Sequence, residues 1–233
     1  MMMKFKITLL LLIGIASVTA NAQDCSRYYP FKEGAEFELS SYNKKGKVNA
    51  KSIYKVMEVS NGGGAETAFI ANEIFDEKGK SALTMEYKIT CKDDIVSVDF
   101  SNLIAPTLRE TYKEMEFEMS GENLQLPNNL STGQSLPDAH AIMSVHVAPV
   151  NMKMRVDITD RQVALKEKVT TGAGTFDCYL ITYKTILKNQ IGINQASSSK
   201  QWIAEKVGVV KQEDYNGKGK LLGRTELTAI RGL

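Results

Sequence analysis

The sequence predicts a mainly β protein built from antiparallel strands, and three observations lead to that prediction. Apolar and polar residues alternate with a period of two over many short stretches, which is typical of strands with one buried face. Clusters of Gly, Asn and Asp that suit hairpin turns separate these stretches. Stretches and turns recur at the short spacing of all-β domains, which predicts about ten to twelve strands in a meander-like sheet.

The clearest strand covers residues 151–158, where every even-numbered residue is apolar and every odd-numbered residue is polar or charged. A strand with one solvated and one dry face is typical of an antiparallel sheet. The same alternation predicts half-buried strands around Phe37, Met85 and Phe117. Turn sequences lie at 43–46, 61–64, 76–79, 172–174 and 216–219.

Two segments interrupt the alternation. Residues 102–113 carry apolar side chains at helical spacing, including Leu108, and Pro106 would fall in the first turn, so we predict a short helix there. Residues 124–138 are rich in Pro, Asn and Gly, which predicts a long irregular loop.

Residues 1–22 have the order of a secretory signal peptide: two lysines, an apolar run at 7–13, and Ala-Asn-Ala at 20–22. The apolar run is shorter than the roughly 20 residues that cross a bilayer, and no later window reaches that length. We therefore predict an exported protein, periplasmic or secreted, in which residues 23–233 form a single antiparallel β domain without a transmembrane segment.

Removal of the signal peptide also changes the charge balance. Lys4 and Lys6 leave with it, so the 29 basic residues fall to 27 and equal the 27 acidic residues. A neutral mature chain gives no electrostatic reason to expect nucleic acid or an anionic membrane surface as a partner.

Three cysteines remain after cleavage: Cys25, Cys91 and Cys178. In an oxidising compartment, one disulfide and one free thiol are the simplest outcome, and three pairings are possible. Cys178 shares an alternating face with Phe176 and Leu180, which suits a buried thiol, so we favour a disulfide between Cys25 and Cys91.

A lipid anchor on Cys25 is the alternative fate of that residue. Bacterial lipoproteins are cut before a cysteine that follows small apolar residues, but here Gln23 and Asp24 precede it. The charged Asp24 argues against lipidation.

No residue pattern predicts catalysis, a metal site or a cofactor. His140 and His146 would share a strand face about 20 Å apart, too far to bind one metal ion. Neither a Gly-x-Ser-x-Gly elbow nor a phosphate-binding glycine loop is present. We therefore expect a protein that is not an enzyme, although a hydrolase built on distant carboxylates is left open as a third hypothesis.

Four stretches carry a family resemblance: residues 24–31, 130–137, 172–179 and 201–213. They resemble the TapB-type family of secreted bacterial proteins, which is related to a periplasmic family of unknown function. Within the last stretch, Gly208 in a strand indicates a bulge or a close backbone approach.

The resemblance implies an open, strongly curved antiparallel sheet, similar to the half-barrel of periplasmic lipoprotein carriers. In those carriers the concave face holds acyl chains and a short helix acts as a lid. Our leading hypothesis is therefore an exported, non-enzymatic protein that binds a lipid or other apolar small molecule on the concave face.

Methionines on the apolar strand faces support the same hypothesis, because their flexible side chains suit adaptable binding surfaces as well as irregular cores. The candidate ligand-binding residues are Met85, Tyr87, Leu108, Met115, Phe117, Met152 and Met154. The alternative hypothesis is an envelope structural or protein-interaction module with a filled core and no ligand. A cavity of several hundred Å³ would favour the first hypothesis.

Overall fold

The computed structural model describes residues 25–99, 116–147, 150–189, 192 and 194–233. In this part of the chain, thirteen strands form one sheet, and every neighbouring pair is antiparallel. The strands are β1 (Glu36–Asn43), β2 (Val48–Gly62), β3 (Ala65–Asp76), β4 (Ser81–Lys92), β5 (Ile95–Val98), β6 (Glu116–Glu122), β7 (Leu124–Pro127), β8 (Ala139–Val147), β9 (Val150–Thr171), β10 (Gly174–Asn189), β11 (Asn194–Ala204), β12 (Gly208–Asn216) and β13 (Leu221–Arg231).

The predicted mainly β class and single antiparallel sheet are confirmed, with slightly more strands than expected. The described residues contain no helix, and hence none that is long and apolar enough to cross a membrane. The helix predicted at 102–113 and the signal peptide predicted at 1–22 lie outside the described residues.

The sheet curls into a nearly closed barrel because its two edge strands are neighbours in sequence. The spatial order is β6-β8-β9-β10-β11-β12-β13-β1-β2-β3-β4-β5-β7. Only Asn123 lies between the end of β6 and the start of β7. Because each residue spans at most about 3.6 Å, these two edges must lie beside each other. The sheet has the strong curvature expected for a half-barrel, but it is closer to a complete barrel than the predicted open sheet.

The loop that follows β7 fills the seam between the two edges. Its backbone pairs with β9: Gly133 N donates to Val163 O at 2.7 Å, and Val163 N donates to Gln134 O at 2.9 Å. The prediction of an irregular loop over 124–138 is wrong for its first four residues, which form β7 and pair with β5. Tertiary pairing with a neighbouring edge, which local composition does not report, decides that difference.

The alternation of side chains sorts the two faces of the sheet. In β1, Phe37 and Leu39 are buried on the inner face, as predicted. Glu38 lies on the opposite face, where it pairs with Lys51 at 2.9 Å and accepts a hydrogen bond from Thr228. The inner face supplies the main core: Phe37, Leu39, Val56, Ala68, Ile70, Ile89, Cys91, Val96, Leu126, Leu130, Leu136, Val163, Ile181, Ile203 and Leu227, joined by Tyr28 and Ala35. A smaller cluster around Trp202 occupies the other face of β9–β12.

The segment before β1, residues 25–35, crosses one end of the barrel, and we call it the N-terminal strap. A disulfide joins Cys25 to Cys91 in β4, which confirms the favoured pairing, while Cys178 is a buried free thiol. The side chain of Asn128 accepts a hydrogen bond from Arg27 N at 2.9 Å and donates one to Cys25 O at 2.6 Å. The Cys25 sulfur is bonded to the Cys91 sulfur in the disulfide, whereas a thioether to a lipid would require a free Cys25 thiol.

We expect reduction of the Cys25–Cys91 disulfide to lower the free energy of unfolding by about 2–4 kcal/mol, because the bridge closes a loop with a sequence separation of 66. Urea unfolding with and without reductant measures the change. Cys178→Ala should keep the same sensitivity to reductant, whereas a variant with alanine at both bridge positions should lose it. Equal reductant sensitivity in that double variant would contradict the assignment.

Candidate functional site

A cavity of about 440 Å³ lies between the inner face of the sheet and the N-terminal strap. Strands β1–β5 and β7 form one wall, and residues from β11, β12 and β13 form the other. Most of the lining is apolar or aromatic: Tyr29, Pro30, Phe37, Leu39, Tyr54, Val56, Ile70, Met85, Tyr87, Ile89, Val98, Leu124, Val207 and Val209. Its size falls within the roughly 300–1,000 Å³ that is usual for ligand pockets.

Tyr29 brings the strap into contact with the sheet at one end of this cavity. A Cβ placed on Gly208 would lie 3.1 Å from the Tyr29 ring, so glycine allows the ring to pack directly on the start of β12. Gly208 also has a φ of 82°, in the region that glycine adopts most readily. The close approach predicted at Gly208 is confirmed, and the group that approaches is a cavity-lining tyrosine.

Four tyrosines converge around this end: Tyr29, Tyr54, Tyr87 and Tyr183. Burial raises the pKa of Tyr29 to about 12 and the pKa of Tyr87 well above its usual value. Burial also raises the pKa of Tyr54 and Tyr183, and the phenol groups lie close enough to affect one another's ionisation. At neutral pH the cluster is therefore an uncharged set of hydroxyl groups that donate and accept hydrogen bonds.

A band of polar side chains interrupts the apolar lining. Ser41 and Thr225 share a hydrogen bond at 3.0 Å across β1 and β13. Gln201 Nε2 donates to Gln212 Oε1 at 2.9 Å, and Gln212 Nε2 donates to Asp214 Oδ1 at 3.0 Å. These groups satisfy one another, so the band is a structural network that still leaves polar atoms facing the cavity.

Asn72 is the exception in the polar lining. The residue is 2% exposed, and its side chain interacts with the Tyr54 hydroxyl. Within the described residues, Asn72 Oδ1 has no hydrogen-bond partner. A buried amide oxygen without a donor costs about 1–3 kcal/mol, so this position favours a ligand or water that donates a hydrogen bond.

Arg161 lies at the seam, next to the same end of the cavity. It is 5% exposed, and its Nη1 donates to Gln125 O at 2.9 Å and to Pro137 O at 2.5 Å. Gln125 directly follows Leu124, which lines the cavity. Burial lowers the pKa of Arg161, while the nearby phenol of Tyr29 opposes that shift.

The structure places the residues predicted to bind a ligand in different surroundings. Met85 and Tyr87 line the cavity. Met154 is half-buried and Met152 is 62% exposed, and neither lines the cavity. Phe117 lies in β6, where its backbone pairs with Val145. Leu108 and Met115 lie outside the described residues.

The site residues predicted from the sequence did not include Tyr29, Asn72 or Arg161. A signal for Arg161 was present, because the apolar phase of β9 changes from even to odd positions between Ile158 and Val163. A change of phase indicates a bulge, and bulges redirect side chains. Among the described residues, no group of three or more His, Cys, Asp or Glu side chains could hold a metal ion.

Comparison with known proteins places the fold in a wider group. A profile of the DUF3108-like family matches residues 32–227. A solved structure from Bacteroides fragilis, described as an exported protein with a YmcC-like fold, is 20% identical, with a TM-score of 0.71 over 89% of this chain and 100% of that chain. One from Parabacteroides distasonis, described as a lipoprotein, is 21% identical, with a TM-score of 0.72 over 90% and 100%. At these identities the likeness shows the fold alone.

No curated protein matches the chain.

The tyrosine cluster predicts a loss of stability in alkaline solution. A tyrosine in the unfolded chain titrates near pH 10, whereas Tyr29 in the folded chain titrates at about 12. Between these values the unfolded chain releases protons that the folded chain keeps. The free energy of unfolding should therefore be fully present below about pH 10 and fall above it, by up to about 1.4 kcal/mol per pH unit for each tyrosine.

Urea unfolding at a series of pH values, together with tyrosinate absorbance, measures this effect. Tyr29→Phe should reduce the slope because it removes one of the titrating groups. Ionisation of all the tyrosines near pH 10 in the folded protein, with no loss of stability, would contradict the expectation.

Proposed function

We propose that this chain, which belongs to the DUF3108-like family, is an exported binding protein that holds one acyl chain in the cavity of its sheet. The observation that carries the proposal is the cavity of about 440 Å³ with a mainly apolar and aromatic lining. Burial of apolar ligand surface against such a lining is favourable by roughly 25 cal/mol per Å².

The volume favours a ligand with a single chain. At about 440 Å³, the cavity lies in the lower part of the roughly 300–1,000 Å³ that is usual for ligand pockets. We therefore propose a ligand with one chain rather than two.

An exported location fits the same proposal. The two solved structures with this fold are described as an exported protein and as a lipoprotein, both terms for proteins that leave the cytoplasm. The Cys25–Cys91 disulfide belongs in an oxidising compartment. The signal peptide over residues 1–22 and the resemblance to the TapB-type family stay predictions.

The alternative hypothesis, an envelope interaction module with a filled core, receives less support because the inner face encloses space. An envelope protein partner stays a prediction. Arg161 donates to two backbone carbonyls and Asp214 accepts hydrogen bonds from Ser199 and Gln212, and we propose a binding role for this interior rather than a catalytic one.

Val209→Phe tests the cavity directly. Val209 lines the cavity, so a larger side chain there occupies space that an acyl chain would need. We expect the affinity for a fluorescent fatty acid to fall by about fivefold or more, because overpacking costs about 1–3 kcal/mol. Fluorescence titration of the delipidated mature protein measures the affinity.

Val48→Phe is the matched control. Val48 lies in β2, is 40% exposed and does not line the cavity, so the same substitution there should leave the affinity unchanged. Equal affinities for all three proteins, or no binding by the unaltered protein, would refute the proposal.

A further inference from the structure

The surroundings of Arg161 indicate the chemical class of the head group that a ligand of this protein would have. The residue before it, Asp160, has a φ of 54°, and the pairing of β9 with β10 shifts register at this point, opposite Tyr183. A bulge of this kind changes the direction in which a side chain points. Arg161 as a result is buried, at 5% exposure, although arginine is one of the residues most often found at the surface.

Within the described residues, no carboxylate lies within ion-pair distance of Arg161. The groups that influence its charge are the phenols of Tyr29 and Tyr183 and, more weakly, Asp138. A buried charge without a counter-ion is costly, and proteins usually pair such a charge with an opposite one. A bound anion would therefore supply the counter-ion that Arg161 lacks among the described residues.

The hydrogen bonds that Arg161 already makes leave one edge of its guanidinium group available. Both carbonyl contacts use Nη1. No hydrogen bond from Nε or Nη2 is found in the part of the chain that the structure describes. The N–H groups of Nε and Nη2 point in parallel, and this edge matches the two oxygens of a carboxylate.

Arg161 and Tyr183 do not line the cavity themselves, but both lie near Tyr29, which does. Tyr29 lines the cavity and lies near Arg161, and the Leu124–Gln125 backbone links the cavity wall to the Arg161 side chain. A chain along the apolar lining whose head group lies beside Tyr29 would thus be close to the guanidinium group of Arg161.

We propose that Arg161 binds the carboxylate of a single-chain fatty acid through Nε and Nη2, with the Tyr29 hydroxyl as a further donor. This inference rests on the proposed function and adds the chemical class of the ligand's head group. The same chain ending in an alcohol would fill the cavity without pairing with the guanidinium group.

Competition of dodecanoic acid and dodecanol for a bound fluorescent fatty acid tests the inference. At about pH 8 the unaltered protein should bind the acid at least about tenfold more tightly than the alcohol, as expected for charge-assisted hydrogen bonds. Arg161→Gln should bring this ratio close to one. Arg155→Gln is the matched control, because Arg155 lies in the same strand but pairs with Asp157 at 2.6 Å, and it should keep the preference.

Arg161 also links β7 to the seam loop, so Arg161→Gln could unfold the protein. The unaltered protein supplies a second measurement: below about pH 4 the acid becomes protonated, and its preference over the alcohol should disappear. Binding of both ligands without preference at pH 8, or a preference that survives in Arg161→Gln, would overturn the inference and leave the proposed function standing. Binding of neither ligand would overturn both.

Discussion

The closure of the sheet depends on one constraint: its two edge strands are separated in sequence by the single residue Asn123. Backbone reach alone holds β6 and β7 together, although the two strands are at opposite ends of the hydrogen-bonded order. The seam left between the edges is then filled by the loop after β7, which pairs with β9 at only a few positions. The groups that we assign to the candidate site lie on the inner face, in the N-terminal strap or at this seam.

A sheet of this width encloses more space than its side chains fill. Barrels of about eight strands have an interior just wide enough for their own side chains, and larger ones enclose cavities. Here thirteen strands surround the interior, and the N-terminal strap closes one end with Tyr28 and Tyr29. The Cys25–Cys91 disulfide and the Asn128 hydrogen bonds fix the strap, so the space that remains has a defined wall.

The parts of the fold that depend on local pattern could be predicted from the sequence. Alternation identified the buried face of β1 and the cavity-lining Met85 and Tyr87. The glycine at position 208 indicated the close packing that the Tyr29 ring makes there. Alternation does not tell which part of a long strand borders the interior. Met152 in the 22-residue β9 has the alternation that predicts burial, but its side chain is exposed. The strand β7 and the inward position of Arg161 depend on contacts between distant segments, which a local pattern does not contain.

Arg161 contributes both to the closure of the sheet and to the proposed binding of a ligand. Its Nη1 bridges β7 and the seam loop through the carbonyls of Gln125 and Pro137, where few backbone ladder bonds are present. The same side chain lies near Tyr29, which lines the cavity, so a ligand held by its other edge would be attached to the seam as well. Because a ligand that binds only the folded state stabilises it by mass action, occupancy of the cavity and closure of the seam should rise together. The bulge at Asp160 that turns Arg161 inward therefore serves the closure of the seam and, in our proposal, the recognition of the ligand's head group.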